Sequence, residues 1–131
     1  MTLGDRPRGT PAPVHPLRPR GRYAGLVRYT VIFPMVDENG EDTSESVCFV
    51  VNAEALPSVN DYLHFEVDGA ALSLVVESVS HCFSAAKNGA RAFEFLVGAN
   101  AEAHSYRQVR RLQDPAQLHR WIAQFPMLEP D

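Results

Sequence analysis

Four side chains near the middle of the chain are of types that do chemistry: His64, Glu66, His81 and Cys82. His64 and Glu66 are two residues apart, so in an extended segment they share a face, and His81 joins them if the next strand folds back in a suitable register. Two imidazoles and a carboxylate are a ligand set for a transition metal, which gives a small metal-dependent enzyme as one reading. Cys82 beside His81 or His64 would instead make a thiolate–imidazole pair for nucleophilic catalysis. Neither reading has support in its surroundings. Ser44, Ser46, Ser78, Ser80 and Ser84 stand in no G-x-S-x-G context, no phosphate-cradling glycine loop is present, and Cys48 and Cys82 are too far apart for a C-x-x-C zinc pair. His and Glu on a half-exposed strand are ordinarily solvated. No catalytic residue, metal site or cofactor is therefore expected, and Tyr62, His64, Glu66 and His81 are taken as candidate binding residues.

The elements that must position them run from Leu56 to Val97, which reads as three strands and two tight turns. Leu63, Phe65 and Val67 alternate with Tyr62, His64 and Glu66, the period of a half-buried strand. Asp68-Gly69 follows, a strong signal for a two-residue hairpin turn. Leu72 to Phe83 is rich in Val and interrupted by Glu77, Ser78 and Ser80, so it reads as a long strand with a bulge near Glu77-Ser78. Lys87-Asn88-Gly89 supplies the second turn, and Phe93, Phe95 and Val97 alternate with Ala92, Glu94 and Leu96 in the third strand.

Before this meander, Val27, Tyr29, Val31, Phe33 and Met35 mark a strand over residues 24–36, with Pro34 placing its far end at an edge or a bulge. Residues 37–45 carry five carboxylates around Asn39-Gly40, in a pattern without the ligand spacing of a calcium loop, and read as a solvated hairpin tip. Residues 46–52 form a second, nearly continuous apolar strand. Residues 53–57 connect it to the meander, by one helical turn ended at Pro57. After Val97 the period becomes helical. Tyr106, Val109 and Leu112 oppose Arg107, Arg110 and Arg111, and a better-marked helix follows with Asp114 as cap, Pro115 first, and Gln117 in the second position of a capping box. Leu118, Trp121, Ile122 and Phe125 make its apolar face, and Pro126 ends it.

The 131 residues suit one domain, and a net charge of -4 conceals an uneven distribution. Residues 1–28 hold six arginines against Asp5 alone, whereas residues 29–100 hold eleven carboxylates against Lys87 and Arg91. The first 22 residues are Pro, Arg and Gly with little to bury, and read as a flexible arm. Arg18, Arg20 and Arg22 could touch an anionic partner such as nucleic acid, while the acidic body argues against phosphate binding on a barrel face. No run approaches the ~20 apolar residues of a membrane span. No secretory leader is visible at the start, so the cytoplasm is the expected compartment and no membrane partner is expected. Cys48 and Cys82, each in a strand, read as small buried apolar side chains.

The stretch from Leu56-Pro57-Ser58-Val59-Asn60-Asp61-Tyr62-Leu63 through Asp68-Gly69 to Val75-Val76-Glu77-Ser78-Val79-Ser80-His81 resembles a hairpin of small bacterial and phage proteins with an SH3-like barrel. Asn60 stands where those proteins usually have glycine, and Asn also enters the left-handed region. The resemblance covers about a quarter of the chain, implies a fold, and brings no catalytic residues with it. The expected molecule is α+β and mainly β. It has an arm (1–22), a five-stranded antiparallel SH3-like barrel or bent sheet (23–99), and C-terminal helices packed on it (100–131). Its expected function is non-catalytic: a binding or adaptor module that recognises protein through a strand edge or groove, as a homodimer. Nucleic-acid binding through the basic arm is the alternative, and the metal-dependent enzyme the third reading.

Overall fold

Six strands form a single sheet in the computed structural model, which describes residues 25–85 and 93–131. They are β1 (Val27–Val36), β2 (Asp42–Ala53), β3 (Tyr62–Val67), β4 (Ala70–Phe83), β5 (Phe93–Ala101) and β6 (Leu128–Pro130), in the order β3-β4-β5-β1-β2-β6. After β5 come a 3-10 turn (Ala103–Ser105) and two helices, α1 (Tyr106–Arg111) and α2 (Pro115–Ile122). The arginines Arg18, Arg20 and Arg22 and the turn at Lys87-Asn88-Gly89 lie outside the described residues. No helix among the described residues is long and apolar enough to cross a membrane.

The sheet corrects the expected five antiparallel strands on two counts. β1 and β5 pair in parallel, through Tyr29–Ile32 and Phe95–Gly98. That direction depends on which side of β1 receives the returning meander, which alternation within a strand does not encode. The sixth strand, β6, is only three residues long and too short to show a period. Polar contacts hold it to β2: the Asn52 amide N–H and Nδ2 both donate to the Met127 carbonyl, and the Glu129 carboxylate accepts from Asn52 Nδ2 at 2.8 Å and from Arg28 Nη1 at 2.6 Å.

Local chemistry fixes most of the turns. Asp68 and Gly69, with φ of 51° and 79°, join Val67 to Ala70 as the primed turn the sequence predicts. Asn60, at φ 76°, takes the left-handed conformation expected there. The register of β1 on β2 slips between Pro34 and Val36, and pairing with β5 stops at Ile32, so the missing Pro34 N–H leaves no ladder bond unmade on that side. The predicted acidic tip is shorter than expected. Asp37 Oδ1 accepts from the amides of Asn39 and Glu41 at 2.8 and 2.9 Å, closing a tight turn, and Asp42 to Glu45 already belong to β2 as exposed strand residues. Gly40 is required in this turn because its φ is +81° and a Cβ there would stand 2.5 Å from Tyr106 Cε2. The connector after β2 is bent, without the helical turn expected before Pro57.

Asp114 Oδ1 caps α2 by accepting from Ala116 N at 3.1 Å. The Asp114 amide donates to the Arg111 carbonyl, so Gln117 has no free N–H to complete a capping box. The helix ends at Ile122 rather than Phe125 because the amides of Gln124 and Phe125 donate three residues back, to Trp121 and Ile122, and tighten the last turn.

The curl of the sheet is visible in one contact. Phe49 of β2 and Phe65 of β3 have ring centroids 5.5 Å apart, although β4, β5 and β1 lie between their strands in the sheet order. Four strand spacings in a flat sheet would separate them by about 19 Å. The sheet is therefore a half-barrel, and Trp121 of α2 plugs its mouth, at 5.3 Å from Phe49, 5.6 Å from Phe65 and 4.8 Å from Phe125. Trp121 and Ile122 are buried and Leu118 and Phe125 pack on the core, as the helical spacing predicts. Replacing Trp121 by Ala should cost about 3–5 kcal/mol, a large share of a domain's net stability. A urea midpoint within experimental error of the wild type would show that the helix is not needed to close the sheet.

Candidate protein-binding surface

The register decides what the candidate residues can do together. His64 stands opposite Ser73 and Glu66 opposite Ala71, whereas His81 stands opposite Phe95 on the other side of β4. Eight residues of strand, roughly 25 Å, separate His81 from the His64 position. The two-histidine, one-carboxylate cluster is therefore not assembled, and among the described residues no group of three or more His, Cys, Asp and Glu is placed to hold a metal ion.

His64 does acquire a partner that the sequence reading passed over. Its Nδ1 shares a hydrogen bond of 2.8 Å with Ser73 Oγ, and its Nε2 lies 3.7 Å from Glu66 Oε1. The serine–histidine–carboxylate line suggests nucleophilic chemistry, but Ser73 is only 6% exposed. Its amide also donates to Ser105 Oγ at 2.8 Å, fixing the strand to the 3-10 turn. Ser73 thus sits beneath the exposed imidazole and orients it. Tyr62, 67% exposed, sits at the start of β3 opposite Val75, where β3 ends and the free side of β4 begins.

Past that point β4 has no strand partner on this side among the described residues. The Val76 amide donates to Asp61 O and the Asn60 amide to Val76 O, after which no described residue pairs with this edge of residues 78–83. A bulge at Glu77 shifts the register, with Val76 opposite Ala99 and Ser78 opposite Gly98. Gly98 admits the bulge, since a Cβ there would stand 2.6 Å from Ser78 Oγ. The extra residue reverses the parity of the strand. Leu72, Leu74 and Val76 face the core before it, and Val79, His81 and Phe83 continue on the same side after it.

The core face thereby runs out of the molecule as a ladder of rings. Phe83 lies 4.7 Å from Phe93, Phe93 lies 4.7 Å from Phe95, and His81 meets Phe95 edge-on at 4.9 Å. Phe83 is 78% exposed. Such ring pairs are worth ~0.5–1.5 kcal/mol each, enough to hold Phe83 in the row while most of its surface meets water. Of the sequence-predicted residues, His81 belongs to this ladder, while Tyr62, His64 and Glu66 share the opposite, exposed face of β3. Phe83, Phe93 and Phe95 were legible only as strand residues, because their exposure follows from where β1 and β3 stop.

The cysteines are free and half-buried, less enclosed than expected. Cys48 Sγ donates to Asp131 Oδ2 at 3.3 Å, and burial, aided by that carboxylate, pushes the thiol up to about 11. No protein-family model matches the chain, and no curated protein or solved structure is significantly similar to it.

At the inner end of the ladder Tyr29 pairs with Phe95, and burial pushes its phenol up to about 12. Between about pH 10 and 12 the unfolded chain releases this proton and the folded chain keeps it, so a contribution fully present below pH 10 is lost as pH rises toward 12. The loss should amount to roughly 3 kcal/mol at most. Tyr29→Phe should fold normally at pH 7 and show a shallower decline of the urea midpoint above pH 10. An identical decline in both proteins would place the titration elsewhere.

Proposed function

We propose that the protein is a non-catalytic binding module that recognises protein by β-strand addition along residues 78–83, with the aromatic ladder as its side-chain anchor. One observation carries the reading: a six-residue strand edge with neither charge nor proline, backed by a Phe that is 78% exposed. Edges are normally blunted by Lys, Pro or cover, and exposed apolar patches mark interaction sites. A two-stranded ribbon is also marginal in water by itself, so a partner strand would add stability as well as specificity. The partner we assign is a second copy of the chain. Antiparallel self-pairing of Ser78-Val79-Ser80-His81-Cys82-Phe83 about a two-fold axis sets no like charges opposite each other, although the rest of the body is acidic. The likeness of the β3–β4 hairpin to SH3-like barrels, and work in the cytoplasm, belong to the same proposal; the Asp-Gly turn and left-handed Asn60 support the former.

Sedimentation velocity at high micromolar concentration should show a dimer. Phe83→Lys should convert it to monomer while shifting the urea midpoint of the monomer by no more than the ~0.5 kcal/mol usual at exposed sites. A wild type that is monomeric throughout, or a Phe83→Lys protein that dimerises as before, would refute self-recognition through this edge.

A further inference from the structure

On the far side of the molecule from the aromatic ladder's free end, the β3–β4 turn and the two helices enclose a cleft of about 280 Å³, at the small end of ligand-site sizes. Arg111 of α1 and Arg120 of α2 both line it, with Gln108, Gln117 and Gln124, and Trp121 forms part of its wall. We infer that this cleft is a binding site for a small oxyanion, a phosphate or a carboxylate carried by a small molecule, and that it is independent of the strand edge proposed above.

Two observations converge on that chemistry. The first is unspent charge. Neither Arg111 nor Arg120 has a carboxylate within ion-pair distance among the described residues, in a chain with an excess of acid. Their places in the last turns of short helices suit the carbonyl ends there, which explains why the residues are basic. It does not explain the second observation. Gln108 is 8% exposed, and among the described residues its only side-chain hydrogen bond is a long one, 3.4 Å, in which Oε1 accepts from Arg111 Nη1. Gln108 lines the cleft and its Nε2 has no partner among the described residues, an arrangement that is costly for a residue so buried unless something in the cleft accepts from it. Two forked guanidinium donors and an inward amide donor together make a set that a compact oxyanion would satisfy, with the arginines offering bidentate geometry. Asp68, also on the wall, is the one carboxylate of the set; it disfavours a highly charged anion and favours a ligand that bears a donor group beside its oxyanion.

Isothermal titration calorimetry of the full chain at low ionic strength, with inorganic phosphate and separately with citrate, tests this directly. Saturable one-site binding of at least one probe is expected, weakened roughly tenfold or more in Arg120→Gln and in Arg111→Gln. Arg107→Gln, on the exposed side of α1, should leave it unchanged. Gln108→Leu should lose affinity while its urea midpoint stays at or above the wild-type value, because an unpaired buried donor has been removed; this separates a ligand role from a packing role. Arg120 is exposed and its side chain makes no hydrogen bond or ion pair among the described residues, so that variant keeps the test decisive if Arg111→Gln is unstable. Tighter binding of phosphate assigns a phosphoryl group, and of citrate a carboxylate. No saturable heat with either probe, or equal affinities in Arg120→Gln, Gln108→Leu and wild type, overturns the inference whatever the oligomeric state.

Discussion

The packing of Trp121 against the touching pair Phe49 and Phe65 is the contact on which the architecture depends. Those two rings belong to strands far apart in the sheet order, and they meet only if the sheet curls through half a barrel. A twisted sheet of six strands with one apolar face has to bury that face against something, and here the sheet meets its own opposite side with a helix wedged into the gap. Asp114 and Pro115 start α2 where the wedge is needed, and the tightened turn after Ile122 brings Phe125 back onto Phe65 at 6.0 Å. The last residues then return along β2 as β6, secured by the Glu129 carboxylate between Arg28 and Asn52. The Arg28–Glu129 pair is partly exposed, so its value lies more in registering β6 than in adding stability.

A second constraint is the bulge at Glu77. Without an extra residue, a strand of this length would carry its core face round to solvent on one side only as far as Val76, and His81 and Phe83 would point to the opposite face. The bulge, made possible by Gly98, keeps Val79, His81 and Phe83 in line with Leu72, Leu74 and Val76. The same side of β4 is thus core for half its length and an exposed aromatic row for the other half. Apolar surface that would ordinarily lie inside a domain is presented at its margin, beside a backbone edge that β3 is too short to cover.

Much of the fold could be read from residue types. Asp68-Gly69, Asn60, the bulge near Glu77 and the capping aspartate of α2 each follow from a local preference that no distant contact overrides. The candidate site was less legible. His64, Glu66 and His81 are near one another in sequence terms, yet hairpin register sets His81 beside Phe95 and gives His64 a buried serine instead. Ser73 offered no signal, since an isolated serine in an apolar strand has no motif around it. Arg111 was readable as part of the polar side of its helix, whereas nothing in the spacing singled out Gln108 or Arg120, and only the packing of the two helices against the β3–β4 turn makes the three neighbours.

By itself, then, the sequence determined five of the six strands, the two C-terminal helices, the Asp68-Gly69 turn, and which side of most of these elements is apolar, because these depend on side-chain volume, branching and backbone preference within a few residues. The tertiary structure alone decided the parallel pairing of β1 with β5, the addition of β6, the closure of Phe49 on Phe65, and how far β4 runs beyond β3. Those outcomes are set by how far one strand outruns another and by which surfaces fit when the sheet curls, and such quantities belong to pairs of elements rather than to any one of them.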